Sequence, residues 1–176
     1  ERLIFSGTGL REGLLFDQLS PSVQKQDALL AGCKKIAHAA SRFDDLTAFE
    51  TLFRWMKPLF TDQGDSFNRL LEASCLLSDG GWTEHEDYQA DHAFQRTLVM
   101  PFYGIDHAGR AFLALSQYVR YGSGFEPEKE ITRPAQQLLD RRMADLAVTV
   151  GLAQRLGYLL TGGALGLLRQ TELKLE

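Results

Sequence analysis

The chain lacks a strong charge of either sign. Nineteen basic and 23 acidic residues leave it at −4, so no global basic field advertises nucleic acid or a membrane surface, and any anion site must be a local basic patch. It has no run of about 18 apolar residues, the length needed to span a bilayer. It does not open on Met, and no basic stretch leads into an apolar core as in a signal peptide. Cysteine is scarce: Cys33 and Cys75 both fall on apolar helix faces and read as buried reduced thiols of a cytosolic protein ahead of a disulfide pair. There is no internal repeat and no low-complexity segment. What remains is an ordinary mixture, 44% hydrophobic and 24% charged over 176 residues, enough for one domain with a sizeable core.

Helical spacing dominates. Ile4 and Phe5 read as a short strand, followed by a Gly-punctuated turn and a helix from about Leu10 to about Leu19. Ser20-Pro21 restarts the chain, Ser as N-cap and Pro at a first helical position where no amide proton is needed. The helix then predicted to about Ser41 carries Leu29, Cys33, Ile36 and Ala40 on one face. Asp44-Asp45 opens the next, with Leu46, Phe49, Phe53, Met56 and Phe60, and Pro58 ends or kinks it near Lys57. Asp65 is the expected cap of a helix burying Phe67, Leu70, Leu71, Ser74, Cys75 and Leu77. Gly80-Gly81 breaks it. A helix from near Glu86 carries Tyr88, Phe94 and Leu98. Another, capped by Asp106, carries Ala108, Ala111, Phe112, Leu115 and Tyr118 until Gly122-Ser123-Gly124. After a polar loop from Phe125 to Glu130 comes a short helix near Pro134 to Leu139. The last long helix, from Arg141, sets Met143, Leu146, Val150, Ala153, Leu156 and Leu160 on one face until Gly162-Gly163. The tail from Ala164 to Leu175 reads as the first strands of a small β unit.

The opening Ser6-Gly7-Thr8-Gly9-Leu10-Arg11-Glu12-Gly13-Leu14-Leu15-Phe16 resembles the S-G-x-G-L-R-E-G-[LV]-L-[YF] segment of the exopolyphosphatase/guanosine pentaphosphate phosphatase (Ppx/GppA) family. Leu70-Leu71-Glu72-Ala73-Ser74-Cys75-Leu76-Leu77-Ser78-Asp79-Gly80 is similar to that family's L-x-x-A-A-x-L-H-[DE]-[IV]-G run. Tyr88-Gln89-Ala90-Asp91-His92-Ala93-Phe94 stands in the place of its K-H-S-x-Y-L run, and Leu115 to Tyr121 where it has A-x-[LV]-x-R-[YF]-H-R. The resemblance implies an all-α, irregular multi-helix HD-like domain with short strands at both ends. Residues 1–19 would close an upstream actin-like catalytic region, 20–162 form the helical domain and 163–176 begin the β unit. The chain would then be the back part of a larger enzyme.

A working HD site needs a lone His, a His-Asp dyad and a later Asp, whose imidazoles and carboxylates hold a water-activating divalent metal. Ser78-Asp79 stands where the dyad should be, and the stretch Phe49 to Trp55 has no His. Asp79, Asp91 and His92 are the only candidate ligands, so no metal is expected in this chain. Glu84-His85-Glu86-Asp87 reads as a charged helix start. Arg11 and Glu12 either form a helix-start salt bridge at the lobe junction or help order a metal-phosphate site. Ser6-Gly7-Thr8-Gly9 is too short to be a phosphate loop by itself. Arg110, Arg120, Arg133, Arg141 and Arg142 crowd the second half, and Arg is the side chain that grips phosphate oxygens by two bonds at once. Arg120 matches the family's Arg and is the phosphate-binding candidate together with Arg11, whereas the family's following His-Arg is replaced by Gly122-Ser123.

The resemblance implies a parent that hydrolyses terminal phosphoanhydride bonds of polyphosphate or guanosine pentaphosphate, with Mg2+ assisting elsewhere in that parent. This chain would contribute substrate binding and homodimerisation, without DNA or membrane partners, in the cytoplasm, and would be inactive alone. The alternatives are a stand-alone HD-type metal-dependent phosphohydrolase, which Ser78 opposes, and a non-catalytic helical dimerisation or regulatory module.

Overall fold

The computed structural model describes residues 9–42, 46–122 and 130–174. The predicted strand at Ile4-Phe5, the Asp44-Asp45 helix start, Ser123-Gly124 and most of the Phe125 to Glu130 loop lie outside them. All regular structure among the described residues is helical: α1 (Leu10–Asp17), α2 (Pro21–Gln24), α3 (Ala28–Ala40), α4 (Leu46–Met56), α5 (Asp65–Leu77), α6 (Glu86–Val99), α7 (His107–Tyr121), α8 (Arg133–Leu138) and α9 (Arg141–Thr161). Single 3-10 stretches cover Lys57–Phe60, Glu130–Thr132 and Leu165–Gln170.

The domain is built around α7. Nine consecutive residues, Ala111 to Val119, are buried, the mark of a helix enclosed on every side. Helices α5, α6, α8 and α9 pack against it. Phe112, Leu113, Leu115 and Tyr118 are at most 1% exposed, and burying each such side chain contributes about 1.5–3 kcal/mol. Helix α9 approaches α7 with Gly151 at the crossing. A Cβ there would lie 2.5 Å from the Ser116 carbonyl oxygen and 2.6 Å from Val119 Cβ, so only glycine permits this approach. Where α5, α7 and α9 meet, polar side chains join them. Ser74 Oγ pairs with Ser116 Oγ at 2.8 Å and accepts from Gln154 Nε2 at 2.8 Å and Gln117 Nε2 at 3.1 Å. The Ser116 hydroxyl donates to the Leu113 carbonyl, so these buried groups share one network.

Local chemistry explains most boundaries. Pro58 converts the end of α4 into the 3-10 turn Lys57–Phe60. Asp106 and Asp140 accept from Gly109 and Met143 amides to start α7 and α9. Gly162, in the left-handed conformation with φ 59°, ends α9.

Four expectations are corrected. The helix predicted from Pro21 to Ser41 is two helices, because Asp27 takes an extended conformation, caps α3 through the Leu30 amide and binds Arg69. Gly64 caps α5, and Asp65 is its first residue. The tail forms no strand among its described residues. Leu165–Gln170 is a 3-10 turn that buries Leu165 and Leu168 against α4 and α9, which the weak alternation around Gln170 concealed. Finally, the buried face of α9 is carried by Ala147, Val150, Gly151, Gln154, Gly157 and Tyr158, while Leu156 and Leu160 are exposed. Small and polar residues face the crowded crossing, so an apolar-spacing rule picks the wrong stripe. Tyr88 on α6 is exposed as well.

Candidate functional site

The C-terminal end of α5 brings Ser78 and Asp79 under α9, and neither faces a metal. The Ser78 hydroxyl donates to the Cys75 carbonyl at 2.6 Å, which leaves the Tyr158 hydroxyl, 2.9 Å away, to donate to Ser78 Oγ. Asp79, 4% exposed, is held by Arg42. The Arg42 amide donates to Oδ2 at 2.9 Å, and its Nε and Nη2 donate to Oδ1 at 3.0 and 2.8 Å. Burial opposes the Arg42 charge, but the hydrogen bond from Asp79 outweighs it and keeps this guanidinium protonated beyond the usual arginine range. A guanidinium therefore sits on the carboxylate that a metal would need. Gly163 makes room for it: a Cβ there would meet the Arg42 guanidinium at 2.8 Å, and its φ of 92° is one that side chains resist.

The same end of the molecule holds Arg120. Its guanidinium lies 3.7 Å from the centre of the Tyr158 ring and 4.4 Å from that of Tyr121, within cation–π range of both. The tyrosines are fixed in turn. Tyr121 donates to the Ser78 carbonyl at 2.9 Å and accepts from the Gly81 amide at 2.8 Å. Burial pushes both phenols up, so they stay neutral donors. Burial lowers the Arg120 pKa. Arg120 Nε is buried without a hydrogen-bond partner, and among the described residues no carboxylate pairs with this guanidinium. Arg155, on the same face of α9 as Tyr158, donates to the Gly122 carbonyl.

Arg42, Arg120 and Arg155 line one pocket of about 370 Å³, together with Trp82, Tyr121 and Tyr158. One of the three positive charges is matched, by Asp79. Of the arginines singled out in the sequence only Arg120 is here. Arg110 donates to the Met100 and Phe102 carbonyls and holds a loop, Arg142 bonds the Gln63 side chain, and Arg133 and Arg141 are exposed. Arg42 and Arg155 were missed. Arg155 had a signal, its three-residue spacing from Tyr158. Arg42 had none, since its partner is 37 residues away.

The other candidates sit apart. Arg11 donates to Glu12 Oε1 at 2.9 Å while Glu12 Oε2 accepts from the Gly9 amide. That pair starts an exposed helix and does not line the pocket. His92 contacts Glu84 at 3.3 Å, and Glu84 also binds Arg96 at 2.8 Å. Asp79, Asp91 and His92 are not brought together: among the described residues no three His, Cys, Asp or Glu side chains form a group able to hold a metal ion.

Compared with known families, residues 37–176 match the family model described as the C-terminal region of exopolyphosphatase. The match begins within α3, so the opening Gly-rich motif lies outside it, while Ser78-Asp79 and Arg120 lie inside. No curated protein matches the chain.

Proposed function

Because the chain belongs to the exopolyphosphatase C-terminal family, we propose that it is the substrate-gripping helical portion of a phosphoanhydride hydrolase, HD-like in descent, and that its arginine pocket takes phosphate groups of polyphosphate or guanosine pentaphosphate. One observation carries this reading: Arg120, clamped between two aromatic rings, presents a guanidinium that no protein anion satisfies. A cation held near a protein surface attracts an anion at about 4 Å by up to about 4 kcal/mol. Arg120 and Arg155 bind and orient the phosphates, Tyr121 and Tyr158 fix Arg120, and Asp79 neutralises Arg42 so that the pocket is not over-repulsive to itself.

Bond cleavage belongs to the parent's other lobes. Magnesium would supply charge neutralisation on the phosphoryl groups there. The described residues do not suit it, since Asp79 is committed to Arg42, and no step is routed through it. Arg11 and Glu12 are assigned to bracing the lobe junction. Two further points belong to the proposal. The protein forms a homodimer, for which Leu152, Leu156 and Leu160 offer an exposed apolar face on α9. It also works in a reducing compartment, consistent with Cys33 and Cys75 being buried and unpaired, their thiols pushed up to about 12 by burial. No described helix is long and apolar enough to cross a membrane.

The test is a titration of inorganic polyphosphate into the 176-residue chain at low and high salt, alongside Arg120→Met, which fills the slot between the tyrosines without charge. Binding should weaken steeply with salt, as for other polyanions, and fall at least tenfold in the variant. Binding that is absent at low salt, or unchanged in Arg120→Met, would favour the non-catalytic module.

A further inference from the structure

The arginine pocket has a second chemistry that inorganic phosphate cannot use. Trp82 stands in its wall, 43% exposed. The indole N–H donates to the Ala40 carbonyl at 3.0 Å, so the ring is pinned in orientation and its polar atom is already occupied. What Trp82 presents to the pocket is a flat apolar surface. Gln89 stands in the same wall, and its Nε2 donates to the Gly81 carbonyl at 3.2 Å and the Glu84 carbonyl at 2.9 Å. With both amide protons committed, its side chain has only an acceptor left. An acceptor and an indole face are both useless to a phosphate chain, which brings negative oxygens and no ring. They suit a planar base that carries a donor, such as an exocyclic amino group.

We propose that the pocket is a nucleotide site, separate from the bond-cleaving centre, which takes a nucleoside polyphosphate with its phosphates on Arg120 and Arg155 and its base against Trp82, within reach of Gln89. This rests on the reading that Arg120 grips phosphate, and it adds the ligand's other half. Polyphosphate is then a competitor that fills the arginine end alone. Stacking of a base on an aromatic side chain contributes about 1–3 kcal/mol by alanine substitution, so the nucleotide gains about fivefold to a hundredfold in affinity over a bare phosphate chain of the same charge.

The experiment compares ATP with inorganic tripolyphosphate at one ionic strength, by calorimetry and by tryptophan fluorescence, on the 176-residue chain. The chain has two tryptophans, and Trp55 is 7% exposed in the core, so quenching by ligand reports Trp82. ATP should bind at least fivefold tighter than tripolyphosphate and quench. Trp82→Leu should remove both the quench and the preference while leaving tripolyphosphate affinity within twofold, and Gln89→Ala, read by the same titrations, should reduce the preference alone. Equal affinities in the unsubstituted chain, or a preference that survives Trp82→Leu, overturn the nucleotide site and leave the phosphate grip standing. Tripolyphosphate binding that is missing, or indifferent to Arg120→Met, removes the grip itself and the nucleotide site with it.

Discussion

A single added methyl group should have opposite consequences at two glycines of this chain. Both sit inside helices, where glycine is about 0.8–1 kcal/mol less favourable than alanine. At Gly32, in α3, a Cβ meets nothing within 4 Å, so Gly32→Ala should stabilise the protein by roughly that amount. At Gly151, in α9, the same atom would lie 2.5 Å from a main-chain oxygen of α7 and 2.6 Å from Val119 Cβ. The oxygen belongs to Ser116 and cannot swing aside as a long side chain would, so α7 and α9 must separate. Overpacking of this kind costs about 1–3 kcal/mol, occasionally more. The propensity gain offsets part of it, and the net loss is about 1–2 kcal/mol at the centre of that range. Urea unfolding followed by circular dichroism reads both variants, and for a chain of this size each kcal/mol shifts the thermal midpoint by about 2–4 °C. The crossing also sets Arg120 on α7 against Tyr158 and Arg155 on α9, so Gly151→Ala should weaken phosphate binding while Gly32→Ala leaves it unchanged. Stabilisation of both variants would refute the close helix approach on which the pocket geometry depends.

Two charge pairs yield further predictions. Asp79→Asn removes the partner of Arg42 and should cost up to about 3 kcal/mol, the low end for a broken buried pair because Arg42 keeps some solvent contact. The same change frees a third guanidinium, so tripolyphosphate affinity should rise as stability falls, a reversal of sign that calorimetry and urea unfolding measure on one sample. At the other end of the domain, hydrogen bonding from Arg69 holds the Asp27 carboxyl below its usual range. A carboxyl lowered in the folded state stabilises above the unfolded value, near 4, and that contribution disappears as pH falls through the folded value. Asp27→Asn, which keeps an acceptor for the α3 cap, should therefore be less stable by about 1 kcal/mol at pH 7 and equal to the parent chain below about pH 3. A difference that persists at low pH would mean that the pair is not what matters.

The fold was legible wherever one residue type decides an outcome locally. Pro58, Asp106, Gly122 and Gly162 punctuate the chain where sequence reading puts them, because a missing amide proton, a short carboxylate or a left-handed turn acts within four residues. The opening of the pocket was legible only in part, through Arg120. The remainder depends on contacts between residues far apart in sequence: Arg42 with Asp79, Tyr121 with Gly81, Ser78 with Tyr158 at 80 residues' separation. The buried stripe of α9 failed for a related reason. Where two helices cross closely the best residues are Gly, Ala and a hydrogen-bonded Gln, which no apolar periodicity reveals, while the leucines that look like core are left outside.

The loss of a metal site and the gain of an anion site are here one event. A Ser-Asp pair at the end of α5 has a single carboxylate, too few donors for a divalent ion but well matched to one guanidinium. Once Arg42 takes that carboxylate, the space beside it is bordered by positive charge instead of facing a cation. Arg120 and Arg155 extend that border, and the two tyrosines, kept neutral by burial, let Arg120 remain charged without an acid to answer it. Restoring imidazole at position 78 would not by itself restore a metal, since the cation already bound to Asp79 would have to leave first. Ser78→His alone should therefore bind no Zn2+ by calorimetry, and Ser78→His with Arg42→Ala should bind it while losing part of the affinity for tripolyphosphate. Zinc binding by the single variant would show that Arg42 does not occupy that place.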